Sequence, residues 1–225
     1  MPLRDHFHSP VNDKHHWSAL HGGWPMEIVR TLFDILPPPY QAGPWVYLGS
    51  SFEVSLPVAE EERGHAPTLT VEADLSDQDE YEVRIYDPNR ERRLVAAVEI
   101  VSPSNKDRPD TREQFVGKVA ALLRQDVCVA VVDLVSTRQA NLYAELLARL
   151  GRSDPHLGEP PPPLYAVSLR ARRPPKRHAL LDAWFYPMAV GRPLPTPPLW
   201  LAPDLRVELP LEPSYQETCR LLHIA

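Results

Sequence analysis

Eight consecutive residues, Leu94 to Val101, hold seven apolar side chains and one carboxylate, Glu99. Read as a β-strand, they put Val95, Ala97, Glu99 and Val101 on one face and Leu94, Ala96, Val98 and Ile100 on the other. Apolar side chains on both faces mark a strand covered on both sides. Glu99 is therefore expected to be buried. An unpaired buried carboxylate costs roughly several kcal/mol, so a cation, a metal ion or hydrogen-bond donors must compensate it.

Two lysines are placed to do so. Lys106 closes the turn Ser102-Pro103-Ser104-Asn105-Lys106, whose side chains also supply donors. Lys118 falls in a helical pattern after that turn, on the edge of an apolar stripe made by Phe115, Val119 and Leu122. Its ammonium group is within reach of the end of the Glu99 strand. Two roles are open to this set. In one, Glu99 caps the turn or the next helix and pairs with Lys106 or an arginine, while Lys118 lies along the rim of the core. In the other, Glu99 is a metal ligand, and Lys118 and Lys106 are catalytic candidates beside it. Hard oxygen ligands with a lysine that orients water and stabilises negative charge suit metal-assisted phosphodiester hydrolysis.

A metal site needs a second carboxylate. Glu53 on an early strand and Asp87 at the end of Tyr81–Asp87 are candidates, as is Glu82. If residues 81–87 and 94–101 form a hairpin, Glu82 comes opposite Glu99 and Asp87 lies near the turn. A rival site is the N-terminal histidine group, His6, His8, His15, His16 and His21, since neutral imidazoles suit zinc. Packing of those rings with Trp17 and Trp24 is the structural alternative.

Other chemistries lack their signatures. The chain carries no glycine-rich phosphate loop and no nucleophile elbow. The two cysteines, Cys128 and Cys219, make neither a disulfide framework nor a zinc site. A net charge of −6 and a pI near 5.8 argue against a non-specific, high-affinity DNA binder. Arg170-Ala171-Arg172-Arg173 with Lys176-Arg177 is basic and reads as a solvated loop rather than a phosphate track. No apolar run is long enough to span a membrane, and a cytoplasmic location is expected.

The elements that position these residues follow from periodicity. Met26–Leu36 reads as an amphipathic helix with Ile28, Leu32, Phe33 and Leu36 on its buried face, ended by Pro37-Pro38-Pro39. A strand or hairpin is expected at Trp45–Pro57, and strands at Thr68–Asp74, Tyr81–Asp87, Leu94–Val101, Val127–Val135, Leu164–Arg170 and His178–Tyr186. Helices are expected at Thr111–Arg124, with Asp110 as N-cap, at Arg138–Leu150, and at Tyr215–Leu222. The 27 prolines cluster between these runs and read as extended connectors. A helix between two buried strands implies a parallel pair at the sheet centre. The fold class is α/β, a mixed central sheet flanked by helices, with extra C-terminal strands.

The element Val98-Glu99-Ile100-Val101-Ser102-Pro103-Ser104-Asn105-Lys106, with Arg112, Lys118 and Val131-Val132-Asp133-Leu134-Val135, resembles a bacterial family known as domain of unknown function 4058. Asp5-His6-Phe7-His8, His16-Trp17, Leu194–Leu201 and Tyr215 share in that resemblance. The central element is also similar to the Glu-Val-Leu-Ser-Pro-Ser signature of Uma-type proteins of the PD-(D/E)XK nuclease superfamily. That likeness implies a restriction-endonuclease-like core, with residues 1–24 an N-terminal arm, 25–150 the nuclease-like core and 151–225 a proline-rich extension bearing added strands and a terminal helix. It implies that Glu99 is the acidic motif residue. Val101 stands where the motif lysine would be, and Lys118 takes the place of a lysine moved to the following helix. The stretch matching the motif aspartate, Phe52-Glu53-Val54-Ser55, offers Glu53. Mg2+ or Mn2+ is the implied cofactor and nucleic acid the implied partner, with homodimers common among such cores. A non-catalytic interaction protein that keeps the fold is the alternative.

Overall fold

The central apolar strands pair in the order that their chain sequence and hydrophobicity require. The computed structural model describes residues 2–47, 80–175 and 178–224. In chain order these form helix α1 (Trp17–Ile35), strands β1 (Gln41–Tyr47), β2 (Glu80–Asp87) and β3 (Arg93–Ile100), helices α2 (Pro103–Asp107) and α3 (Pro109–Arg124), strand β4 (Cys128–Asp133), helix α4 (Leu142–Arg149), strands β5 (Tyr165–Arg172), β6 (Leu180–Pro187), β7 (Pro198–Ala202) and β8 (Leu205–Glu208), and helix α5 (Leu211–Leu221).

β1 to β6 make one sheet in sequence order, and β7 and β8 make a separate hairpin. Neighbours in the large sheet are antiparallel except β3 and β4, which run parallel with Glu99 opposite Val131. The helical crossover α2–α3 makes that parallel pair, as the strand–helix–strand pattern implied. The architecture is α/β: a mixed six-stranded sheet with helices on both faces.

Each face has its own core. Val83, Ile85, Val98, Ile100, Ala130 and Val132 point to the side covered by α1, α5 and the β7–β8 hairpin. Ala97, Val101, Val129, Val131, Val167 and Leu169 point to the side covered by α3 and α4. The alternation in β2 and β3 places Glu82, Arg84 and Glu99 toward α3.

Some expected elements differ. Helix α1 begins at Trp17 rather than Met26, because Trp17, Leu20, His21 and Trp24 continue its buried stripe through Pro25. Phe33 does not join that stripe: it is 83% exposed, while Ile28 and Leu32 are fully buried. Helix α3 starts at Pro109, with Asp110 inside its first turn rather than at the cap. Helix α4 starts at Leu142, where Asn141 caps it by accepting the Ala144 N–H at 2.9 Å. The proline-rich 193–203 stretch is no mere connector, since it contributes strand β7. Only β1 represents the expected Trp45–Pro57 strand within the described residues; the expected strand Thr68–Asp74, and Lys176-Arg177, lie outside them. Among the described residues no helix is long and apolar enough to cross a membrane.

Candidate functional site

Glu99 sits near the C-terminal end of β3, and hairpin pairing with β2 brings Glu82 directly opposite. Residues facing each other across an antiparallel pair share a face, with Cβ atoms about 5 Å apart. The two carboxylates are 1% and 2% exposed as residues. From above them α3 lowers Lys118. Its Nζ lies 2.7 Å from Glu82 Oε2 and 2.9 Å from Glu99 Oε2. The lysine side chain remains 25% exposed, so it is the route from this pair to solvent.

Glu82 has a second cation. Arg84, two residues on and so on the same face, pairs with Glu82 Oε1, and its guanidinium lies 4.2 Å from the Trp45 ring. Glu99 Oε1 is sealed from solvent and has no hydrogen-bond donor. A proton held between the two carboxyl groups would relieve that oxygen. Burial pushes the Glu99 carboxyl well above the usual range, and the Glu82 charge pushes it further against the pull of Lys118. Glu82 moves the other way: burial raises it, but the hydrogen bond with Glu99 and the charges of Lys118 and Arg84 hold it below the usual range. Two adjacent carboxyls with separated affinities are one titrating unit.

The other candidates fall elsewhere. Lys106 turns away from Glu99 and forms a sealed ion pair with Asp133, Nζ to Oδ2 2.9 Å, both side chains at 0% exposure. Its remaining N–H groups donate to the Pro163 carbonyl at 3.1 Å and the Val135 carbonyl at 3.5 Å. Asp133 Oδ1 accepts the Val135 N–H at 3.0 Å. Burial pushes the Asp133 carboxyl up to about 7 despite Lys106. Asp87 lies at the far end of β2, opposite Arg93, where it accepts the Asn89 N–H at 3.0 Å and caps the turn Pro88–Arg90. It is therefore not beside Glu99. Glu53, with the rest of Phe52–Ser55, lies outside the described residues. Arg112 ties α3 to α4 through Glu145 at 2.8 Å.

The turn after β3 is self-contained. Ser102 and Asn105 form a capping box, with the Ser102 N–H donating to Asn105 Oδ1 at 2.9 Å. The N-terminal histidines are dispersed. His6 Nε2 meets the Tyr215 hydroxyl at 2.6 Å, and burial pushes its pKa down to about 4. His21 Nε2 donates to the Ile100 carbonyl at 2.9 Å and stacks on Trp17. His8 pairs with Asp5, and His16 caps α1. Among the described residues no group of three or more His, Cys, Asp or Glu side chains is arranged to hold a metal ion.

Sequence reasoning left two members of these clusters without a role. Arg84 had a signal, its two-residue spacing from Glu82. Asp133 had the same signal as Glu99, a lone charge in an apolar strand. Comparison of the chain with protein-family models, with the curated proteins and with the solved structures found no match.

Proposed function

We propose that this chain is a divalent-cation-dependent phosphodiester hydrolase acting on nucleic acid, built on a restriction-endonuclease-like core. One observation carries the reading: a single lysine from α3 touches two buried carboxylates on paired strands, at 2.7 and 2.9 Å. The order α1, β1, β2, β3, α3, β4 supports it, being the layout that the resemblance implies.

The donor set fits a hard cation. Mg2+ is held through one or two carboxylates, with water and phosphate completing its octahedron. Glu82 and Glu99 are two carboxylates on one face, and Glu99 Oε1 is an oxygen without a donor. These two residues would hold the cation, which when bound supplies Lewis-acid polarisation of a phosphoryl oxygen. Lys118 brings fixed positive charge to the mouth of the site, where it stabilises negative charge developing on the phosphate and orients the attacking water. Arg84 keeps Glu82 ionised, which leaves Glu99 as the carboxyl that exchanges a proton.

The test is cleavage of single- and double-stranded DNA with Mg2+ or Mn2+. Wild type is expected to cut only with the cation, and Glu99→Ala, Glu82→Ala and Lys118→Met each to lose about 100-fold or more. Absence of cation-dependent cleavage by wild type, or undiminished cleavage by Glu99→Ala, would overturn it.

A second reading rests on a specific observation: Lys118 and Arg84 already neutralise both carboxylates. On that reading the cluster is a structural network in a non-catalytic interaction protein. Calorimetric titration with Mn2+ separates the two. Binding that disappears in Glu99→Ala counts against the second reading, and no binding by wild type counts for it.

A further inference from the structure

Among the described residues the strongest basic feature lies at the end of the sheet away from Glu99. β3 and β4 begin there, at Arg93 and Cys128, and β5 ends there, at Arg172. Between them opens a cavity of about 430 Å3. Among the described residues five arginines line it, Arg90, Arg93, Arg170, Arg172 and Arg173, together with Asp126. Three come from one basic stretch, and the turn between β2 and β3 brings two more from far away in sequence. Its floor is apolar, with Val95, Cys128 and the half-buried Trp200.

The arginines are held in place by fewer carboxylates than there are cations. Asp182 is shared by Arg170, at 2.9 Å, and Arg172, at 2.5 Å. Asp126 is shared by Arg173, at 2.8 Å, and Arg93, at 3.9 Å. Asp87 holds Arg90 at 3.5 Å. Five guanidinium groups against these three carboxylates leave two positive charges. Arg172 meets Asp182 through Nε and Nη2, so its Nη1 takes no part in that pair. Arg170 is fixed further by stacking 3.6 Å from the Trp200 ring.

Two chain reversals border the cavity. Glu91, Arg92 and Asp126 hold φ of 52°, 60° and 61°, the left-handed region that L-residues other than glycine seldom adopt. Glu91 and Arg92 turn the chain between β2 and β3, and Asp126 ends α3, where the Val127 N–H reaches back to the Leu122 carbonyl at 3.1 Å.

We propose that this cavity binds a small phosphate monoester with an organic body of nucleotide size. Guanidinium groups suit phosphate oxygens, and here carboxylates and the Pro203, Arg124 and Gln125 carbonyls hold them in place, with Arg172 Nη1 outside those bonds. The apolar floor asks for an uncharged body beside the anion. The volume is in the range of small-molecule pockets. A nucleic-acid backbone would instead call for a continuous basic stripe, and the carboxylates of Asp126 and Asp182 interrupt one here.

The experiment is calorimetric titration of the full chain, without divalent cation, with the four 5′-ribonucleoside monophosphates, their parent nucleosides and a single-stranded oligonucleotide. At least one monophosphate is expected to bind, to bind at least ~10-fold more tightly than its nucleoside, and to shift tryptophan emission through Trp200. Arg172→Gln with Arg173→Gln, both at exposed positions, should weaken it at least ~10-fold. Glu99→Gln should leave it unchanged, which separates this site from the proposed hydrolytic one. Monophosphates that bind no better than nucleosides, an oligonucleotide that binds more tightly than any monophosphate, or a double variant equal to wild type would each overturn the proposal.

Discussion

Two lysine–carboxylate clusters lie on the same sheet and are built to different ends. Lys106 and Asp133 are sealed, each at 0% side-chain exposure, and backbone carbonyls take the other ammonium hydrogens. Lys118 faces two carboxylates and keeps a quarter of its side chain in solvent. In the first cluster one cation answers one carboxylate, and backbone groups take the rest of its hydrogen bonds. In the second, two carboxyls compete for charge, and an oxygen of Glu99 is left without a donor. The sealed pair holds structure together, whereas the one that reaches solvent through Lys118 is the one the proposed chemistry would use.

The largest effect that probes this contrast is on stability. Lys106→Met strands the buried Asp133 carboxyl and is expected to cost about 3–5 kcal/mol in urea unfolding. Lys118→Met should cost less, about 1–3 kcal/mol, because the two carboxyls can share a proton and water reaches the gap. It should nonetheless abolish the proposed cation-dependent cleavage. Equal losses of stability in the two variants would erase the distinction.

A third prediction concerns pH. Asp133 has a folded value of about 7 against an ordinary 3.8. For an acid raised by folding, the stabilising contribution is full below the unfolded value and is lost as pH rises through the folded one. The stability of wild type relative to Asp133→Asn should therefore decline between about pH 4 and 7 and level off above. Glu99 shifts in the same direction, so wild type measured against Glu99→Gln should also decline as pH leaves the carboxylate range. Cation binding at Glu99 should strengthen over that same rise, since it requires the proton to leave. Unfolding curves and calorimetry across pH 4 to 8 check all three, and a flat difference curve for Asp133→Asn would refute the raised value.

The smallest effect is that of salt. In 1 M NaCl the cost of Lys118→Met should shrink by about 0.5 kcal/mol or less, and that of Lys106→Met should not change, because screening acts on exposed charge. A salt effect on Lys106→Met alone would mean that water reaches the sealed pair.

The readable parts of this design are those set by local pattern. The lone charge in Leu94–Val101 marked Glu99, and hairpin parity placed Glu82 across from it. Helical spacing put Lys118 on the correct side of α3. What could not be read depends on distant pairing. Lys106 was read as a partner for Glu99, whereas the parallel pairing of β3 with β4 brings Asp133 within 2.9 Å of it instead. Arg90 and Arg93 join Arg170–Arg173 only through the sheet. The early start of α1 was hidden because its buried stripe is aromatic and histidine-rich and is interrupted by Gly22, Gly23 and Pro25, residues that normally discourage helix.

The N-terminal arm carries a consequence for the order of folding. Leu3 exchanges backbone hydrogen bonds with Gly191 and Arg192, the Arg4 N–H donates to the Tyr215 hydroxyl, and His6 meets that same hydroxyl. His21, in the helix that follows, fastens to the strand end beside Glu99. The arm thus waits for Tyr215 to be synthesised before it can dock. Helix α1 can pack on β1 and β2 as they form, but its seam with α5 and the docking of the arm come last, once the C-terminal helix has been made.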